Sequence, residues 1–197
     1  MADAARRWAD DEAFRVLIVC TANLCRSPIA EHLLRQANSA VGLNWAIESA
    51  GVSASIGLAT HPLAADVLAE RSITAREWRS RRLTRPMIER ADLVLAAAAE
   101  HRRAVVVLDP RAAHRTFTLL QFARFAALAG PISRHDLAMA GNTLLSRVAT
   151  VRGDLQPVDP GADDLPDPMG KPLRAFQASA IQIQDAVDRI VTPMRVL

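Results

Sequence analysis

The 197-residue chain has no tyrosine, two cysteines and a single lysine, and aromatic residues make up 4% of it. Each scarcity excludes something. Without tyrosine, the protein is not regulated by phosphorylation of its own phenols. With Cys20 and Cys25 as its thiols, and no CxxC, HExxH or comparable spacing, it lacks the framework of a disulfide-stapled secreted domain and the ligand set of a zinc site. The acidic stretch around Asp159, Asp163, Asp164 and Asp167 lacks EF-hand spacing, so calcium is not expected either. No apolar run approaches the roughly 18 residues that suggest a membrane span. The charged start, Met1 to Arg7, has no apolar stretch behind it, which argues against a secretory signal. The expectation is a soluble, cytoplasmic protein with no membrane partner, metal or cofactor. Lys and Arg total 24 against 21 acidic residues, a net charge of +3. Apart from the cluster Arg76, Arg79, Arg81, Arg82 and Arg85, the basic residues are scattered and no aromatic-rich recognition motif accompanies them, so no nucleic-acid partner is expected.

Half of the residues are apolar, which suits one domain with a sizeable core. Residues 1–13 are polar and are expected to form a flexible extension; residues 14–197 form the domain. Val16 to Val19 is a short continuous apolar run, the pattern of a strand buried on both faces. It ends at Cys20, and after a polar loop a helix begins, with Ser27 as its expected N-cap and Pro28 at its first helical position. Further strands are expected at Trp45 to Ser49, Leu93 to Leu95 and Thr116 to Leu119. Helices are expected at Pro62 to Glu70, after Thr84, after Leu119 through about Ala129, and from Pro172 onward. Ala104 to Leu108 is ambiguous between strand and helix. An extra helical segment lies at about 130–160, a candidate lid or partner surface, and Arg152 to Asp167 has the composition of a loop. Strands alternating with helices predict a doubly wound α/β fold, a parallel sheet with helices on both faces.

A cysteine at the carboxyl end of the first strand stands where open α/β sheets place their ligands. The stretch Cys20, Thr21, Ala22, Asn23, Leu24, Cys25, Arg26 and Ser27 then leads into a helix. Its backbone N–H groups are suited to curl into an anion-binding nest, and the helix N-terminus adds donors and positive potential. Asn23 tolerates the left-handed backbone that a tight nest requires. Arg26 grips two oxygens of a phosphate with its planar fork. That field favours the thiolate, the nucleophilic form, so attack by Cys20 on phosphorus gives a phosphocysteine. Ser27 is placed to donate to the sulfur. A general acid is also needed, and Asp159, Asp163, Asp164 and Asp167 all qualify by chemistry. Cys25 serves either as packing or as a resolving thiol. His61, His101, His114 and His135 follow no catalytic pattern and are assigned to surface or packing, and Trp45 to the core.

The residues Val19 to Pro28, followed by Ala30-Glu31, resemble the signature of the low-molecular-weight protein tyrosine phosphatases, and the segment from His101-Arg102-Arg103 to Phe117 through Arg124 resembles their bacterial branch. Ser49-Ala50-Gly51, Ala91 to Leu95 and Leu165-Pro166-Asp167-Pro168 are similar to further family segments. The resemblance implies a four-stranded parallel sheet, a phosphocysteine mechanism without metal, and Asp167 as the acid. It implies catalysis by Cys20, Arg26 and Asp167, phosphate binding by Thr21, Ala22, Asn23, Leu24, Cys25 and Ser27, and a phosphorylated protein or a small aryl phosphate as partner, by default protein phosphotyrosine. The chain departs from the family pattern at Ala22, where glycine is usual, and at Met169 and near Ser55 and Ile56, where aromatics are usual. Losing those rings removes stacking of about 0.5–1.5 kcal/mol per ring pair. Two other readings are an arsenate reductase of the same fold and a catalytically weak phosphate sensor or scaffold. The first is disfavoured by Pro28 after Arg-Ser and by the lack of a further relay thiol.

Overall fold

The computed structural model describes residues 13–154, 159 and 161–195. Apart from Ala13, the N-terminal extension expected from the sequence lies outside them. Four strands, β1 (Phe14–Cys20), β2 (Trp45–Gly51), β3 (Leu93–Ala96) and β4 (Thr116–Thr118), form one all-parallel sheet in the order β2-β1-β3-β4. β1 is central, with Val16 beside Ile47 on one side and Leu93 on the other. The apolar run that predicted a strand covered on both faces is covered on both. Val16 and Ile18 face one core and Leu17 and Val19 the other.

Among the described residues, seven helices connect and flank the strands: α1 (Arg26–Val41), α2 (Pro62–Ala69), α3 (Arg85–Arg90), α4 (Ala99–Leu108), α5 (Leu119–Ala126), α6 (Ala140–Asp154) and α7 (Leu173–Val191). The larger core joins β1 to Leu33 and Leu34 of α1, Phe122 of α5 and Phe176, Ile183 and Val187 of α7. The smaller core on the opposite face holds Met87 and Ile88 of α3 and Val105 of α4. This is the doubly wound architecture read from the sequence. The ambiguous segment Ala104 to Leu108 is helical, because Ala99 to Leu108 forms one amphipathic unit with His101 and Val105 inward. α1 closes at Gly42, whose φ of 77° is the left-handed turn that ends many helices.

Two expectations change. The loop expected from Arg152 begins later, since α6 runs through Asp154. Ser27 does not cap α1: the helix starts at Arg26 with Cys25 at the cap position and no side-chain cap. The Ser27 hydroxyl is drawn instead to buried polar partners in the loop. α6 packs into the larger core through Leu144 and Val148, and a Cβ on Gly141 would lie 2.2 Å from the Phe14 ring. The first turn of α6 thus meets the end of β1 opposite Cys20, a position for core packing rather than for a lid over the loop.

Candidate active site

β1 lies where the chain turns to opposite sides of the sheet, and the crevice beyond its carboxyl end is the expected ligand position of such folds. Cys20 ends β1 and Arg26 begins α1, so the loop between them is pinned by a strand and a helix. Asn23, fully buried, takes φ 55°, the left-handed conformation its sequence position predicted. Its amide nitrogen donates to Ser27 Oγ and Ser49 Oγ, each at 2.8 Å, and its Oδ1 accepts from the Arg81 N–H at 2.8 Å. Ser49 Oγ donates to the buried Glu31 carboxylate at 2.5 Å, which also accepts from Trp78 Nε1 at 3.0 Å. Arg35 forms an ion pair with Glu31 at 2.8 Å. The loop is thus fixed by a polar network running through α1 and β2.

Two polar groups face the sulfur. Ser27 Oγ lies 2.9 Å from Cys20 Sγ, and the Asn23 backbone N–H approaches it at 3.3 Å. The backbone after β2 seals the loop's flank: Val52 N–H donates to the Cys20 carbonyl at 3.0 Å and Ser53 N–H to the Thr21 carbonyl at 2.9 Å. This approach explains Gly51. A Cβ there would lie 2.5 Å from Thr21 O and 2.8 Å from Asn23 N, both backbone atoms.

Arg26 is 4% exposed. Its Nη1 donates to the Leu165 carbonyl at 3.2 Å, and its Nη2 donates to Thr21 Oγ1 at 3.3 Å and to Asp167 Oδ2 at 2.7 Å. The segment 165–167, distant in sequence, is held over the loop by this arginine and by the Leu165 N–H, which donates to the Ala97 carbonyl at 2.8 Å. Asp163 and Asp164 are engaged elsewhere. Asp163 pairs with Arg124 at 2.7 Å, and Asp164 Oδ1 accepts from Ala99 N–H at 2.7 Å at the start of α4. Of the four carboxylates, Asp167 is the one that contacts the loop arginine.

Thr21, Ala22 and Leu24 are half-buried along the loop, and Cys25 is buried. Cys20 and Cys25 are both free thiols. Burial pushes the Cys25 thiol up to about 12; the Cys20 and Asp167 charges act in the same direction and Arg26 opposes them. Among the described residues, no group of three or more His, Cys, Asp and Glu is arranged to hold a metal, and no helix is long and apolar enough to cross a membrane.

Three residues of the site escaped the sequence reading. His101, assigned to surface or packing, reaches Thr21 Oγ1 through Nε2 at 2.8 Å. Glu31 and Trp78 belong to the loop's network. Glu31 carried a signal, a carboxylate on the apolar face of α1 four residues after Ser27; nothing local pointed to Trp78 or His101. His61 is packing, stacked on Phe176 at 4.8 Å between centroids. The side chain of His135 lies outside the described residues.

Comparisons with known proteins converge on one family. The model of the family described as low molecular weight phosphotyrosine protein phosphatase matches residues 15–133. The probable low molecular weight protein-tyrosine-phosphatase EpsP of Ralstonia solanacearum is 29% identical over 182 residues, covering 92% of this chain and 97% of the relative. A protein-arginine-phosphatase of Geobacillus stearothermophilus is 30% identical over 182 residues, with the same two coverages. Among solved structures, the low molecular weight protein tyrosine phosphatase from T. tengcongensis superimposes with a TM-score of 0.69 at 29% identity, covering 91% of this chain and 99% of that one.

Proposed function

Because the chain belongs to the low molecular weight phosphotyrosine protein phosphatase family, a family of cysteine-dependent phosphatases, we propose that it hydrolyses a phosphate monoester on a protein side chain, phosphotyrosine first, with Cys20, Arg26 and Asp167 as its catalytic residues. The observation that carries this reading is the convergence on one loop of a thiol at a strand end, a buried arginine and a carboxylate 2.7 Å from that arginine.

Bound phosphate displaces Asp167 from Arg26 and takes the guanidinium's donors, with the loop N–H groups around its other oxygens. The Cys20 thiolate attacks phosphorus in line with the leaving oxygen. Asp167, freed from the guanidinium, takes up a proton from solvent; the S–P bond then forms, the P–O bond breaks, and the released oxygen takes that proton from Asp167. In the second step a water attacks phosphorus. The Asp167 carboxylate takes the water's proton, the S–P bond breaks, and Cys20 departs as thiolate with the Ser27 hydroxyl and the Asn23 N–H facing its sulfur. Inorganic phosphate leaves, and every group returns to its starting protonation.

A second substrate class has a specific observation behind it. The Geobacillus relative named a protein-arginine-phosphatase is as similar in identity and coverage as the relative named a tyrosine phosphatase. Ile56 and Leu58, in the segment after β2, and Met169, two residues after Asp167, are exposed, and none of the three is aromatic. The test compares phosphotyrosine and phosphoarginine peptides of one sequence, using wild type, Cys20→Ser and Asp167→Ala. Turnover of the phosphotyrosine peptide that is lost in Cys20→Ser supports the proposal. Turnover of the phosphoarginine peptide alone replaces its substrate class, and inert wild type with either peptide and with aryl phosphates contradicts it.

A further inference from the structure

His101 is 1% exposed, in the first turn of α4, and Thr21 immediately follows Cys20. Besides its 2.8 Å contact with Thr21 Oγ1, His101 Nε2 lies 3.4 Å from Glu100 Oε1. Its Nδ1 is buried and has no hydrogen-bond partner among the described residues. These contacts select a tautomer. Both neighbours of Nε2 are oxygens, and the Glu100 carboxylate only accepts. A proton on Nδ1 would bury an unpaired N–H, whereas a bare ring nitrogen is the cheaper orphan. Burial, reinforced by Arg26, holds the His101 pKa below its ordinary value, against the opposing charges of Glu100, Asp167 and Asp164, so the ring carries one proton and Nε2 holds it.

A hydroxyl oxygen has two lone pairs. Thr21 Oγ1 then accepts twice, from His101 Nε2–H and from Arg26 Nη2–H, and its own hydrogen has no acceptor among the described residues. We propose that this Thr21 hydroxyl donates a hydrogen bond to the bound phosphoryl group, and that His101 is the positioning residue that turns it there. Thr21 is half-buried beside the nucleophile, and the guanidinium touching its oxygen is the one assigned to the anion. The inference rests on the reading of this loop as a phosphate site. It adds a side-chain donor to the backbone donors of the nest and gives a function to a histidine that sequence alone assigned to packing.

The test titrates inorganic phosphate into the full-length protein by calorimetry and measures its competitive inhibition of aryl phosphate hydrolysis. Thr21→Val should weaken phosphate about tenfold, the range of one hydrogen bond to a charged group, and Thr21→Ser should stay within about twofold of wild type. His101→Leu should weaken phosphate by roughly threefold or more when Thr21 is present and add nothing in Thr21→Val, a coupling that a merely structural histidine would not produce. His101→Gln, whose amide N–H replaces Nε2–H, should recover most of that loss. The inference is overturned if Thr21→Val binds phosphate as wild type does, or if His101→Leu acts equally in both backgrounds. A wild type that hydrolyses aryl phosphates while Thr21→Val is unchanged removes this inference alone. A wild type that binds no phosphate removes the phosphatase reading with it.

Discussion

Arg26 Nη2 and Asp167 Oδ2 meet at 2.7 Å across 141 residues of sequence, joining a guanidinium that is 5% exposed to a carboxylate that is 49% exposed. A half-exposed partner makes this pair a weak source of stability. Its consequence is placement: the carboxylate sits beside the arginine proposed to receive the phosphate. Asp167→Ala should therefore slow aryl phosphate hydrolysis by about 10²–10⁴ and leave thermal stability nearly unchanged. Asp164→Ala should do the reverse, costing about 1 kcal/mol through the lost contact at the start of α4 while sparing turnover. Paired kinetic and unfolding measurements on the two variants check the assignment, and equal kinetic losses would undo it.

Gly51→Ala tests whether the strand after the loop shapes the anion site. The added methyl meets backbone at 2.5 and 2.8 Å, which no side-chain rotation relieves. The variant should lose on the order of 1–3 kcal/mol in urea unfolding and bind phosphate more weakly than wild type. Unchanged stability and affinity would show that the loop yields at little cost.

Asn23 combines a left-handed backbone with three side-chain hydrogen bonds, and two substitutions separate these roles. Asn23→Gly keeps the backbone conformation and removes the bonds; Asn23→Ala removes the bonds and adds about 1 kcal/mol or more of backbone strain. Both should unfold at lower denaturant than wild type, with alanine below glycine. The reverse order would mean that backbone strain contributes nothing there.

The buried Cys25 thiol gives a pH signature. Its proton is held to about 12 in the folded protein, against 9.0 for the ordinary thiol. Below pH 9 both states are protonated and the contribution is constant. Between pH 9 and about 12 the unfolded chain releases the proton first, so folding stability falls as pH rises. Urea unfolding at pH 8 and pH 10.5 should show a smaller alkaline loss in Cys25→Ala than in wild type. Equal losses would exclude Cys25 as the source.

Much of this was legible in the sequence because the chemistry there is local. The continuous run Val16 to Val19 has the pattern of a strand covered twice, and Cys20, Asn23 and Arg26 are separated by fixed short spacings within one loop. Asp167 was chemically indistinguishable from Asp163 and Asp164; the structure distinguishes them by what each contacts, Arg26, Arg124 and the Ala99 N–H respectively. His101 was invisible for a similar reason, since its approach to Thr21 spans 80 residues. Ser27 misled because a good capping residue before a helix matches the local pattern, while the nearby sulfur and Asn23 compete for the same hydroxyl. Tertiary contacts decide such cases, and local propensity does not record them.

The most direct test of the account is to trap the intermediate. Wild type and Asp167→Ala are mixed with a radiolabelled phosphotyrosine peptide, quenched within milliseconds, digested and mapped. The account predicts label on the peptide containing Cys20 in wild type and in Asp167→Ala, and no label on that peptide in Cys20→Ala. Turnover by Cys20→Ala, or label on a residue other than Cys20, would contradict it.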